Sequence, residues 1–269
     1  MIILIVTFLL TGLFSGLIAG LLGVGGGIII VPVSYFILLQ LGYSIDVVMH
    51  VSVASSLCII VFTSISSVLS HIKLNNVDRN VVKKWVAGII SGSIIGSLLA
   101  SRIEGEILVL IFISLAFLIS LNMFFQRNIK TIGNDIPQNF FINFSISGLI
   151  GSFSALIGIG GGSFSVPILS IFSKKMHQAV GTSAVLGFFI ALPGAISYIL
   201  LGTNIEGLPP YSLGYVNILI VALVISTSIF TANIGAKLSS RISKEILKKI
   251  FAIFLLFTCT SLVIEHFII

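Results

Sequence analysis

From Ile107 to Phe125 the chain carries no charged side chain, and comparable runs follow one another almost from end to end. Such a run is long enough to cross a hydrocarbon core of about 30 Å, which takes about 20 apolar residues in a helix. Only 8% of the residues are charged and 57% are apolar, against roughly 25% charged in an ordinary soluble domain. A water-solvated fold could not hide that much apolar surface, so lipid is the solvent. Lipid offers the backbone no hydrogen bonds, which restricts the spans to helices or a closed barrel. Ile107–Phe125 lacks the period-two alternation of a barrel strand. The chain is therefore expected to be an all-α polytopic membrane protein, a single multi-pass domain in a cell (inner) membrane.

Met1–Leu10 is apolar, with no basic leader and no cleavage site after it, and reads as part of the first helix. The net charge of +6 fits Lys- and Arg-rich cytoplasmic loops, and no nucleic-acid partner is expected. Cys58 and Cys259 fall in apolar segments, where a thiol behaves as a small buried hydrophobe. Neither a disulfide, a metal site nor a cofactor follows from them.

The chain repeats itself. Gly23-Val24-Gly25-Gly26-Gly27, with Val31-Pro32 beyond it, aligns with Gly158-Ile159-Gly160-Gly161-Gly162 and Val166-Pro167. Ala54-Ser55-Ser56-Leu57 aligns with Gly181-Thr182-Ser183-Ala184, and Gly96 to Ile103 with Gly235 to Ile242. Three blocks in one order indicate a duplication: repeat 1 over 1–125, a linker at 126–138 and repeat 2 over 139–269. Each repeat offers one Gly-broken segment and three ordinary spans. They are expected near 2–40, 47–70, 85–101 and 107–125, then 140–172, 178–201, 213–236 and 246–264.

Loop charges set the directions. If all eight segments crossed once, the Lys and Arg residues would divide almost evenly between the two faces, against the positive-inside rule. If each Gly-broken segment turns back as a hairpin, every Lys and Arg except Arg102 falls on one face. The same arrangement inverts the second repeat: the basic loop Lys73–Lys84 corresponds to Gly202–Gly214, which has no Lys or Arg. The expectation is two inverted repeats with up to ten membrane passes and both termini extracytoplasmic.

A glycine turn leading into a helix presents unpaired N–H groups and the positive end of the helix dipole together, a ready anion site. Gly25, Gly26, Gly27, Gly160, Gly161 and Gly162 are the leading substrate-site residues; the competing reading is tight turning and close packing alone. Ser55, Ser56, Thr182 and Ser183, read as the start of the next helix in each repeat, could add hydroxyl donors at a shared centre, or bond a neighbouring carbonyl instead. Nucleotide binding is not supported, since the third glycine of a dinucleotide turn would fall on Ile28 and no Lys-Ser or Lys-Thr follows either run. Small residues recur every four positions at Gly12, Gly16 and Gly20 and at Gly88, Gly92 and Gly96, a pattern for close helix packing. His50, His71 and His177 are read as solvated residues near segment ends and Trp85 as an interfacial anchor. No acidic or basic residue lies deep in a span, so an anion would be held by N–H groups and hydroxyls.

The paired Gly-x-Gly-Gly-Gly and Val-Pro motifs, the Ser-Ser-Leu and Thr-Ser pairs, His71-Ile72-Lys73 with Val77-Asp78, and the Gly96 and Gly235 blocks resemble the sulfite exporter TauE/SafE family. The resemblance covers nearly the whole chain. It implies a permease for small anions such as sulfite, sulfonates or related organosulfur anions, typically moving them outward, and not an enzyme. A channel, a non-transport membrane subunit or an intramembrane enzyme are the alternatives, and the sequence leaves homo-oligomer formation open. An enzyme would need a His/Asp/Glu/Cys cluster within the spans, and none is found there.

Overall fold

The computed structural model describes residues 2–125, 133, 135–239 and 244–267. Most of the expected linker, with Arg127 and Lys130, and the turn Ser240 to Ile242, with Arg241, lie outside the described residues.

Ten helices are seen among the described residues, five on either side of the linker: α1 (Ile2–Leu22), α2 (Gly27–Gln40), α3 (Ile45–Lys73), α4 (Arg79–Ala100), α5 (Gly105–Phe125), α6 (Phe140–Leu156), α7 (Gly162–Ile171), α8 (Met176–Leu201), α9 (Ile218–Leu238) and α10 (Lys244–Phe267). Six of them, α1, α3, α4, α5, α8 and α9, are long and apolar enough to cross a membrane. The chain is thus an all-α polytopic membrane protein. A short antiparallel hairpin, β1 (Ser212–Leu213) and β2 (Val216–Asn217), replaces the expected start of the 213–236 span. The Asn217 side chain stops that hairpin and caps α9 by accepting from the Ile220 amide at 3.1 Å. Asp78 does the same for α4, accepting from the Asn80 and Val81 amides, so α4 starts about two turns before the expected position.

The glycine breaks divide the two long segments as expected. At about 1.5 Å per residue, the 14 residues of α2 and the 10 of α7 are each too short to cross the core alone. α1 and α9 run side by side in the same direction, since Gly12 meets Thr227, Gly16 meets Thr231 and Gly20 meets Gly235. α3 also runs with α9, through Ser55 to Asn217 and Ser66 to Ile229. α2 leads directly into the start of α3, so α1 and α2 form a hairpin whose open end lies where α3 and α9 begin.

Both small-residue stripes pack, and their partners lie in the other repeat. Gly88, Gly92 and Gly96 of α4 take the backbone of α6 at Phe144, Gly148 and Ser152, with no room for a Cβ. α3 and α8 cross at the centre in opposite directions: Leu57 touches Gly194, while Asn76, just past α3, touches Gly181. α5 and α10 are opposed too, with Ser120 bonded to the Ala252 carbonyl and Cys259 near that of Ile113.

Candidate substrate site

Gly25 and Gly160 meet in the middle of the bundle. A Cβ on Gly25 would lie 3.0 Å from the Gly160 Cα, and one on Gly160 would lie 2.8 Å from the Gly25 Cα. Gly27 faces the Gly158 carbonyl, and Gly162 reciprocally faces that of Gly23, again with no space for a side chain. Gly23, Gly25, Gly26 and Gly158 hold positive φ of 68°, 79°, 79° and 68°, the left-handed region that glycine enters at least cost.

These turns leave backbone donors unused. Among the described residues, no acceptor is found for the amides of Val24 to Ile28 or of Gly160 to Phe164. The residues around them are largely buried, where an unmet N–H is costly. Unpartnered hydroxyls accompany them: Ser163 and Ser165 on α7 and Ser67 on α3 are buried with no hydrogen-bond partner. One void beside the contact is lined by Gly23, Gly25, Thr63, Ser64 and Ser67, and another by Val24, Gly162 and Ser163, with volumes of about 10 and 20 Å³. Each suits about one water molecule, so the breaks as seen are closed on one another. Thr63, Ser64 and Ser67 were not singled out by sequence reasoning, although the polar run from Thr63 to Ser67 inside a span was a visible signal.

The hydroxyl pairs chosen from sequence are placed differently from expectation. Ser55 and Ser56 lie about three turns into α3, and Thr182 and Ser183 about two turns into α8, rather than at the helix starts. Three of the four are tied to the opposite repeat. Ser55 Oγ accepts from the Asn217 amide at 2.9 Å and Thr182 Oγ1 from the Asp78 amide at 2.9 Å. Ser56 Oγ donates to the Gly158 carbonyl at 2.7 Å, whereas Ser183 Oγ donates mainly to the Val180 carbonyl of its own helix at 2.8 Å and lies 3.5 Å from the Gly23 carbonyl. Ser56 and Ser183 thus touch the glycine turn of the opposite repeat, while Ser55 and Thr182 bond the cap residues of α9 and α4.

Charge is sorted by end. Lys73 closes α3, Arg79, Lys83 and Lys84 open α4, Lys174 and Lys175 precede α8, and Lys237 nears the end of α9. All share the end at which α3 finishes, while Arg102 follows α4 at the other. A cleft of about 340 Å³ at the basic end is lined by Arg79 and Lys83 together with Val68 and Val185. A second, of about 240 Å³, is lined by Lys73 and Lys237 with Ser70 and Asn233. Lys174 bridges Asp78 and Asp135 at 2.7 Å each. Burial alone would raise the Asp78 carboxyl, but the bonds from Lys174 and the Val81 and Asn80 amides hold it below the usual range. The bond from Lys174, then that from the Ile136 amide, lowers Asp135, against slight burial. Lys174, which burial would lower, is raised by its two carboxylates.

Two expectations at segment ends are overturned. Trp85 is not an interfacial anchor: it is fully buried and donates to Asn143 Oδ1 at 2.8 Å, because α4 begins early enough to carry it inside. His50 and His71 are likewise buried, at 3% and 0% exposure, since α3 extends beyond both; His177 is exposed as expected.

Paired helix breaks within a polytopic bundle, with a basic face at one end, define an α-helical membrane transporter. The chain belongs to the TauE/SafE sulfite exporter family: the description "Sulfite exporter TauE/SafE" matches residues 8–262. It is 32% identical over 261 residues to a "Probable membrane transporter protein" of Haemophilus influenzae, covering 96% of this chain and 97% of that one. It is 28% identical to a protein of the same description from Methanocaldococcus jannaschii, covering 83% of this chain and 82% of the relative. The "Probable membrane transporter protein YunE" of Bacillus subtilis is 28% identical over 68% of this chain and 73% of its own. No solved structure matches.

Proposed function

We propose that this transporter exports a small oxyanion, sulfite or a sulfonate or related organosulfur anion, by alternating access around the paired glycine breaks. The observation that carries this reading is the two rows of largely buried amides, Val24–Ile28 and Gly160–Phe164, which find no acceptors among the described residues and belong to turns that meet at Gly25 and Gly160. An oxyanion offers several acceptor oxygens, and dipoles can release what they hold more readily than a fixed cation. Ser163, Ser165 and Ser67 supply further donors when the breaks part. The cleft at Arg79 and Lys83 gathers anions from the basic face, which is the cytoplasmic one by the positive-inside rule.

Repeat-related helices that run in opposite directions, α3 against α8 and α5 against α10, support inverted repeats over 1–125 and 139–269. In such repeats the axis relating the halves lies in the membrane plane and passes through a midplane site. Flux of radiolabelled sulfite and small sulfonates from proteoliposomes, with and without a pH gradient, tests the reading. Saturable flux of at least one of these anions, with a raised half-saturating concentration when Ser163 and Ser165 are both replaced by alanine, is expected. Absence of flux for all of them overturns the substrate class, and flux that rises linearly with concentration turns the reading to a channel. Tags on the two termini accessible only from the cytoplasm would reverse the orientation.

A further inference from the structure

His50 sits in a setting that only one protonation state can satisfy. Its Nδ1 lies 2.8 Å from the Asp46 carbonyl oxygen and its Nε2 3.0 Å from that of Ala100. Carbonyls only accept. A neutral imidazole has one N–H and one bare nitrogen, whereas the imidazolium has two donors. The neutral ring would turn a lone pair on one of these oxygens. Flipping the ring replaces both nitrogens by carbons and loses both bonds. Ala100 is the last residue of α4, at the negative end of the helix dipole, which favours a cation; its carbonyl also accepts from the Ile103 amide at 3.1 Å and has a second lone pair for the ring.

We propose that His50 is a proton-binding site whose occupancy holds the non-basic end of the bundle closed, making the proton a second ligand of the transport cycle. The inference rests on the transporter reading. The ring joins α3 to the end of α4 and stacks on Tyr215, with centroids 5.0 Å apart. Tyr215 meets the edge of Tyr198 on α8, whose hydroxyl donates to the Ala155 carbonyl on α6 at 3.4 Å. One charged ring therefore links α3, α4 and the β hairpin, and through two tyrosines reaches α8 and α6. Losing the proton removes a charge-assisted bond and leaves a bare nitrogen against a carbonyl, a conflict relieved when this end parts. Closure and proton binding then favour each other by the same factor.

The titratable and charged groups around this end are Asp46 on α3, Arg102 and Glu104 in the turn after α4, Glu106 on α5, Tyr35 on α2, Tyr43 before α3, Glu206 and Tyr211 between α8 and the hairpin, Glu265 near the end of α10, and Tyr198 and Tyr215. Asp46, Arg102, Glu104 and Glu106 are all exposed. His50 is the one among these whose side-chain type changes charge between about pH 5 and 8.

Accessibility tests the proposal. Cys58 and Cys259 are first replaced by serine. Val51, fully buried and next to His50, is then replaced by cysteine, and its labelling by a membrane-impermeant maleimide is normalised to that of Leu213→Cys in the exposed hairpin. Normalised labelling is expected to rise about fivefold or more between about pH 5.5 and 8.5, and with His50→Gln to stay at the high value throughout. A flat profile with His50 present overturns the proposal, as does an equal rise with His50→Gln. If His50→Gln fails to assemble, the profile with His50 present decides by itself. No substrate enters this assay, so it can fail while anion flux survives. A His50-dependent pH response in a protein that moves no anion would instead sink the transport reading.

Discussion

In the first glycine break Gly25 and Gly26 both hold φ of 79°, and α2 behind them presents Ile28 and Ile30, both fully buried. In the second, Gly161 has an ordinary helical φ of −55°, and α7 presents Ser163 and Ser165 at the aligned positions. The two breaks thus share a sequence, a meeting point and a set of cross-repeat hydrogen bonds, yet differ in backbone and in lining. One is an apolar turn with three left-handed glycines, Gly23, Gly25 and Gly26, and the other has a single one, Gly158, and hydroxyls to offer. A duplicated element needs its partner contacts kept in both copies, but a bound ligand needs donors from only one of them.

The sharpest way to break this comparison is to add one methyl group to each turn. Gly26→Ala forces a side chain into the left-handed region, at roughly 1–2 kcal/mol, and puts its Cβ 2.7 Å from the Ser15 carbonyl oxygen. Gly161→Ala meets mainly the movable tip of Ile190. Gly26→Ala should lose most folded protein by size exclusion in detergent, while Gly161→Ala should keep both yield and flux. Equal tolerance would make the two breaks equivalent.

Next comes the lining. A buried hydroxyl without a partner costs about 1–3 kcal/mol, so Ser163→Ala with Ser165→Ala should raise the thermal midpoint while weakening the anion, seen as a severalfold higher half-saturating concentration. Greater stability with unchanged saturation would remove α7 from the substrate path. A smaller difference separates the two serine ties. Ser56→Ala breaks a 2.7 Å bond to Gly158 and should cost about 1 kcal/mol. Ser183→Ala removes a bond within its own helix, to Val180, and only a 3.5 Å contact across the repeats; the Val180 carbonyl keeps its helical amide, so the change should cost less, as denaturant titration would show.

The smallest effect lies outside the bundle, at Lys174. Lys174→Met should cost under about 1 kcal/mol, as partly exposed ion pairs do, and should change the pH response of stability. Asp78 and Asp135 are lowered in the folded chain. Their contribution is therefore present above about pH 4, their unfolded value, and is lost as pH falls through the folded values. Lys174 is raised, so its contribution is full below about pH 10.4 and is lost as pH rises through its folded value. Thermal midpoints between pH 3 and 7 should fall less steeply in Lys174→Met than in the unmodified chain.

The helices, the glycine breaks and the packing stripes were legible in the sequence because each rests on local composition: apolar runs, residues free to turn, and small residues at a spacing of four. The partners of those stripes were not legible. Nothing local in Gly12 or Gly88 says that each will pack against the other repeat. The start of α4 was misplaced by about two turns because basic residues at a helix end read as loop until a cap such as Asp78 fixes the boundary. That error put Trp85 at an interface when the folded chain buries it. His50 and His71 are buried, and Ser55, Ser56 and Thr182 are occupied, by distant groups that nothing in their own neighbourhood announces.

By itself the sequence determined that this chain spans a membrane as helices, that it is interrupted twice by glycine, and that it belongs to the TauE/SafE pattern, since hydrophobic length and backbone freedom are written residue by residue. Only the tertiary structure decided that the two interruptions touch, that their amides lack acceptors, and that His50 lies between two carbonyls. Those properties depend on which distant groups arrive at one place, and a hydrogen-bond vacancy exists only once every neighbour is in position.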